Sequence, residues 1–274
     1  DPYVARRKYW DLYEGIAELD PPVEDLGYAN QDPHSRRLID ACDSHKFDIT
    51  RETVRRARQG YFANISYIDD KVGDLLETLR TTRMLDNTIV LFTSDHGDML
   101  GERGLWFKMS FFEGSARVPL MVAGPGVTPR LVNEPVSTLD INPTLADLAG
   151  IDIGEILPWT DGESLVPLMQ GGKRTTPVLM EYTAEGSQAP LVCIREGDWK
   201  FSHCELDPPM LFNLKDDPQE LTNLAADPAN AALVAEWMER VRAHWDMARF
   251  DADIRQSQAR RWVVYEALRN GAYF

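Results

Sequence analysis

Apolar positions along the chain follow two periods, and the change from one to the other divides it. Tyr61, Ile65, Ile68, Val72, Leu75, Leu76 and Leu79 recur at steps of three and four, the spacing of one face of an α-helix. Thr50, with Glu52 and Thr53 behind it, supplies a start signal, because its hydroxyl can accept from an unpaired N–H of the first turn. The pattern predicts a long amphipathic helix from Thr50 to near Met84, lying on a sheet. Thr88-Ile89-Val90-Leu91-Phe92 follows as an apolar, β-branched run, the signature of a buried strand in a parallel sheet. Val118–Ala123 reads as the next strand, with Pro119 at its entry or on an edge. Ser137–Leu148 reads as a further helix, with Pro143 in the first turn, where it costs little. Helix, strand and polar turn in succession predict an α/β fold.

Beyond Gly171-Gly172 the period shortens. Val178–Tyr182, Leu191–Arg195, Trp199–Cys204 and Met210–Asn213 are short, separated segments, better suited to an antiparallel sheet. Ala231–Trp245 returns to helical spacing, with Leu233, Trp237, Val241 and Trp245 on one face. From Arg249 the tail mixes Trp262, Val263, Tyr265 and Leu268 with arginines, a composition suited to contact with a neighbouring subunit. Residues 1–50 show little periodicity and read as a long surface excursion, with Pro21-Pro22 and Asp32-Pro33 as helix breakers. His34 and His45 read as solvated loop residues. The expected division is 1–172 as part of an α/β domain, 173–248 as a small antiparallel subdomain with a packing helix, and 249–274 as a tail.

Composition narrows the functional classes. With 43% hydrophobic and 27% charged residues, the 274-residue chain has the balance of a globular protein able to bury a large core. No apolar run is long enough to span a bilayer, and no signal-peptide pattern opens the chain, so a cytoplasmic location is expected. The net charge of −15 argues against nucleic acid or an anionic membrane as partner. It also repels an anionic substrate at long range, so a local cation must capture one. Cys42, Cys193 and Cys204 are an odd number at no metal-ligand spacing, which implies neither a disulfide framework nor a zinc site.

The candidate chemistry lies just after the 88–92 run, in Thr93-Ser94-Asp95-His96-Gly97-Asp98 and Gly104-Leu105-Trp106-Phe107-Lys108. The end of a strand in an α/β sheet is where ligands bind. Asp95 offers hard oxygen and His96 an imidazole to a divalent metal. Lys108 offers a compact cation able to hold an anion and neutralise charge as it develops. An ordinary polar turn around Gly97 is the alternative reading of Asp-His-Gly-Asp alone.

The segment from Asn87 to Gly126, "NTIVLFTSDHGDMLGERGLWFKMSFFEGSARVPLMVAGPG", resembles the second half of a type I sulfatase of the alkaline-phosphatase superfamily. "GLWFKMSFFEGSARVPL" and "RRWVVYEALRNGAYF" are similar to the choline-sulfatase branch. "STLDINPTLADLAGI" and "LFNLKDDPQELTNLA" fit the same pattern, with Asp140 read as a helix-start residue. The resemblance implies part of an alkaline-phosphatase-like parallel-sheet sandwich with a smaller C-terminal antiparallel subdomain. It implies Asp95 and His96 as ligands of a divalent metal, Ca²⁺ first, with Mg²⁺ or Mn²⁺ as alternatives. It implies Lys108 as a catalytic and substrate-binding residue, Glu185 as a choline contact, choline O-sulfate as the small sulfate ester cleaved, and a homo-oligomer. Trp106 and Tyr182 suit either pocket wall or core, and Arg117 is expected to pair with Glu113. The family's nucleophile is a formylglycine made from Cys in C-x-P-S-R or C-x-A-S-R; none of the three cysteines has that setting, and the family's early Asp pair is missing. Asp1 therefore reads as a cut edge, and the chain as the later portion of a site, inactive alone. A phosphonate monoester or phosphodiester hydrolase, or a non-catalytic remnant folded with a partner, are the competing expectations.

Overall fold

Local signals place the elements and long-range packing sets their partners. The computed structural model describes residues 3–271, so the readings on Asp1 and on the last three tail residues fall outside the described residues. The chain divides into two compact units, Asp1–Thr176 and Pro177–Phe274.

In the first unit, α1 (Arg7–Trp10) and α2 (Pro33–Ala41) precede the long helix α3 (Arg51–Thr81). The Thr50 side chain accepts from the Thr53 N–H and starts α3 as its sequence predicts. Strand β1 (Val90–Thr93), the hairpin of β2 (Met99–Leu100) and β3 (Trp106–Phe107), the single-turn helix α4 (Glu113–Ala116) and strand β4 (Leu120–Ala123) carry the central motif. Helices α5 (Ile141–Leu148), α6 (Ile153–Ile156) and α7 (Val166–Met169) close the unit.

Three expectations change here. Residues 3–50 are not a surface excursion: Tyr9, Leu19, Val23, Leu38 and Ile39 are buried. Asp32-Pro33 starts a helix instead of breaking one, since the Asp32 side chain accepts from the Ser35 N–H and Pro33 occupies the first turn, where its missing donor is no loss. The strand at 88–93 forms, yet it pairs antiparallel with β4, Val90 opposite Ala123 and Thr93 opposite Leu120. A parallel pair needs a crossover, usually through a helix. Here residues 94–119 fold into a tight hairpin and one helical turn, returning the chain to the end of the strand it left.

The apolar stripe of α3 does not lie on a sheet. Ile65, Ile68, Leu75 and Leu76 are exposed, and the helix buries Arg58, Gln59, Gly60 and Ala63 of its first half. A helix of this length spans roughly 46 Å, while a four-residue strand covers about 13 Å. The β1–β4 pair cannot cover it.

The second unit is a four-stranded antiparallel meander of β5 (Val178–Tyr182), β6 (Leu191–Glu196), β7 (Trp199–Cys204) and β8 (Asp207–Asn213). Val192, Ile194, Phe201 and Leu211 are fully buried beneath Trp237 and Val241 of α8 (Ala231–His244) and Met247 of α9 (Met247–Asn270). Phe201 and Trp237 stack at 6.0 Å. The tail is thus largely helix, with Trp262, Val263, Val264, Tyr265 and Leu268 exposed along it. Among the described residues all strand pairing is antiparallel, and no helix is long and apolar enough to cross a membrane.

Candidate active site

Strand β1 delivers the turn Ser94–Asp98. The Asp95 Oδ1 accepts from the His96 N–H at 3.0 Å, and the Ser94 hydroxyl donates to the His96 carbonyl at 2.8 Å. These bonds leave Asp95 Oδ2 facing His96 Nε2 at 3.5 Å. The other ring nitrogen, Nδ1, lies 2.7 Å from the Gly97 carbonyl. A carbonyl only accepts, so Nδ1 donates to it and Nε2 is the ring nitrogen left to face the Asp95 carboxylate. The His96 N–H, and after it the imidazole, hold the Asp95 carboxyl below its ordinary range, so it is ionised. Two oxygen or nitrogen ligands 3.5 Å apart fit one divalent ion at bond lengths of about 2.0–2.4 Å. The donor set is incomplete: among the described residues no group of three His, Cys, Asp or Glu side chains stands ready for a metal. Asp95 and His96 form a two-residue donor pair.

Gly97 matters through close approach. Its N–H donates to the Ser115 carbonyl at 2.8 Å, and a Cβ at Gly97 would lie 2.2 Å from the Gly114 carbonyl oxygen. Only glycine lets the turn sit on α4. Asp98, half-buried behind the turn, has its carboxyl pushed up by burial, against the opposing pull of His96 and Lys108. Tyr3 and Tyr61 meet edge to face at 6.0 Å, and burial, reinforced by Asp98, raises both phenols. The Tyr3 hydroxyl is buried with no hydrogen-bond partner among the described residues.

Lys108 follows the β2–β3 hairpin, in which Met99 opposes Phe107 and Leu100 opposes Trp106. The lysine side chain is exposed. Phe107 before it adopts φ +69°, a left-handed conformation costly for a bulky residue. The hairpin is clamped on several sides. Arg58 of α3 pairs with Glu102, whose Oε2 accepts from the Leu100 N–H at 2.6 Å. The Arg103 guanidinium lies 4.1 Å from the Phe112 ring centroid. The Ser115 hydroxyl donates to the Lys108 carbonyl at 2.7 Å. His34, read from sequence as a solvated loop residue, is buried in α2 at 5% exposure, with Nε2 2.7 Å from the Met109 carbonyl. The hydrophobic side of α2 carries it inward, and the carbonyl replaces the water it loses. His45 stays exposed beside Asp40. The Arg117–Glu113 link runs through the main chain, N–H to carbonyl at 3.0 Å.

Glu185 belongs to the second unit. It is exposed after β5, with the Tyr182 hydroxyl 2.9 Å from its carbonyl and 3.1 Å from its carboxylate. The structure therefore brings Asp95 and His96 together, mounts Lys108 on an adjoining hairpin of the same unit, and joins Glu185 to an aromatic ring. Sequence reading missed Ser115, His34 and the Arg58–Glu102 pair. Their partners lie 7, 75 and 44 residues away, and no local pattern marks such pairings.

Comparison with known proteins adds to this geometry. The family profile described as Sulfatase matches residues 27–151, and the profile "N-sulphoglucosamine sulphohydrolase, C-terminal" matches residues 101–246. The chain is 63% identical to choline-sulfatase of Rhizobium meliloti (strain 1021) over 277 residues, covering 100% of this chain and 54% of that protein. Among solved structures it is similar to the phosphonate monoester hydrolase SpPMH of Silicibacter pomeroyi, with TM-score 0.76 and 24% identity over 89% of this chain and 53% of that one. It is similar also to a 2-O GAG sulfatase, with TM-score 0.70 and 26% identity over 86% of this chain and 54% of that one. The chain spans about half the length of these relatives.

Proposed function

Because the chain belongs to the sulfatase family and shares its α/β fold of the alkaline-phosphatase type, we propose that it supplies the metal-and-lysine part of a sulfuric ester hydrolase acting on choline O-sulfate. The observation that carries this reading is the convergence of an ionised Asp95 carboxylate and the His96 Nε2 atom at 3.5 Å.

Asp95 and His96 are the residues that would hold a divalent ion, Ca²⁺ first and Mg²⁺ or Mn²⁺ next, with the Gly97 carbonyl fixing the imidazole in its ligand tautomer. Such an ion, when bound, polarises a sulfate oxygen. Lys108 meets the anionic group as a local cation in a chain of net charge −15, and neutralises charge gathering on the departing oxygen. Tyr182 and Glu185, ring beside carboxylate, suit a quaternary ammonium, which is attracted by an aromatic face and by negative charge. The formylglycine nucleophile does not fit any cysteine here: Cys193 and Cys204 are buried in the second-unit sheet, and none of the three has the required setting. The nucleophile therefore belongs to other residues of the protein, and this chain alone is inactive. The exposed apolar residues of α9 are the proposed homo-oligomer contact, and the proposed location is the cytoplasm.

The test is steady-state hydrolysis by the full protein carrying this chain, with choline O-sulfate and a phosphonate monoester side by side. Release of choline at a higher kcat/KM than phosphonate cleavage is expected. Lys108→Ala is expected to lower kcat about 10²–10³-fold. Faster phosphonate cleavage would give the site to the rival hydrolase reading, whose present support, at 24% identity, concerns the fold alone.

A further inference from the structure

We propose that Ser115 is a positioning residue that locks the Asp95–His96 turn and Lys108 into a single register; its consequence for metal binding rests on the reading of Asp95 and His96 as ligands. Ser115 is 2% exposed and uses both of its polar ends. Its hydroxyl donates to the Lys108 carbonyl at 2.7 Å, while its own carbonyl accepts from the Gly97 N–H at 2.8 Å. One buried residue thus bonds to the main chain immediately after the imidazole and to the main chain of the lysine itself.

Ser115 therefore joins the two segments through one buried residue. The β2–β3 hairpin orders Met99 to Phe107, and His34 holds Met109 from α2, but neither reaches Gly97. The close approach at Gly97, where a Cβ would meet the Gly114 carbonyl at 2.2 Å, leaves no slack for the turn to slide over α4. Phe107 is held at φ +69°, a conformation the surroundings must enforce. The Ser115 hydroxyl supplies that enforcement at the next residue. Outer bonds of this kind set how ligating side chains are aimed, and their loss typically weakens metal affinity by an order of magnitude or more.

Ser115→Ala removes the hydroxyl and keeps the main-chain bond to Gly97. Ser115→Thr restores a hydroxyl. Ser137→Ala is the matched control, because the Ser137 hydroxyl accepts from the Leu139 N–H at 3.2 Å in the same unit and touches neither segment. Two readouts are taken on the 274-residue chain: Mn²⁺ affinity by electron paramagnetic resonance, and hydrogen exchange of the metal-free protein. Ser115→Ala is expected to weaken Mn²⁺ binding about tenfold and to speed exchange within residues 94–98 and 106–109 only. Ser115→Thr, where it folds, returns both toward wild type, and Ser137→Ala changes neither. Unchanged exchange in the two segments overturns the proposal, as does a rise spread evenly through the unit and matched by Ser137→Ala. Because exchange is measured without metal, it decides the clamp even where the wild-type chain, which offers only the Asp95 and His96 donors, binds no Mn²⁺.

Discussion

The two units bury their surfaces in opposite ways. In the second, a four-stranded meander puts Val192, Ile194, Phe201 and Leu211 at 0% exposure and covers them with Trp237 and Val241. The burial is largely apolar, and a deep ion pair within it, Lys200 with Glu220 at 2.7 Å, joins β7 to the segment after β8. In the first unit the deeply buried groups are often polar: Gln31, His34, Ser35, Ser115, Asp140 and Thr144. Meanwhile Ile65, Ile68 and Leu75 of α3 and Met121 of β4 face outward. The second unit is held by the hydrophobic effect, which is non-directional. The first adds directional bonds around a motif to the buried apolar side chains it also carries, Leu38, Met99, Leu105 and Phe112 among them. The unit that bears Asp95, His96 and Lys108 is the one whose described strands form two separate two-stranded sheets. Precision at a site comes from hydrogen-bonded support, and here that support stands beside buried Met99, Leu100, Leu105 and Phe112.

The largest predicted effect tests the polar half of this contrast. Asp140, fully buried, accepts from the Ser137 N–H at 2.7 Å and the Glu163 N–H at 3.0 Å and pairs with Arg174 at 2.5 Å. Asp140→Ala leaves the buried Arg174 guanidinium with the part-exposed Glu163, at 3.1 Å, in place of its fully buried partner, and is expected to cost about 3–5 kcal/mol, read as a drop in urea midpoint. A change below about 1 kcal/mol would mean that the polar lock does not hold the unit. Next in size is a matched pair of truncations. Ile194→Ala, at 0% exposure, is expected to cost about 2–5 kcal/mol. Ile68→Ala, at 48% exposure, is expected to stay within about 0.5 kcal/mol. Similar losses at both positions would erase the difference between the units.

The smallest effect is a pH dependence at the start of α3. Asp20 receives Arg51 at 2.8 and 2.5 Å and Arg55 at 2.8 Å, and chiefly the Arg51 bonds hold its carboxyl at about 2 instead of 3.8. A carboxyl with a lowered folded value stabilises the fold above its unfolded pKa and loses that contribution as pH falls through the folded one. Between pH 3.8 and about 2 the wild-type protein is therefore expected to lose stability that Asp20→Asn never had. Thermal unfolding of the two across that window measures it, and parallel curves would show the clamp to be without weight.

Much of the architecture was legible residue by residue. Thr50 announced α3, and the four short β-segments of the second unit formed the antiparallel sheet their spacing predicts. The Leu233–Trp245 face became the cover of the core. Each of these rests on periodicity or a cap, signals contained within a few neighbouring positions. The reading failed where a distant partner decided the outcome. His34 is buried because the Met109 carbonyl, 75 positions away, satisfies it. The β1 strand runs antiparallel to its neighbour because of how the intervening loop folds back.

By itself, the sequence determined the family, the helix and strand segments and the chemical inventory of Asp95, His96 and Lys108, because propensity, periodicity and side-chain chemistry are local. Tertiary structure alone decided that His96 Nδ1 meets the Gly97 carbonyl and turns Nε2 toward Asp95, that Ser115 ties the turn to the lysine, and that β1 pairs with β4 in antiparallel register. Those outcomes depend on which groups meet after the chain closes on itself, and a hydrogen bond between distant residues leaves no period in the sequence to betray it.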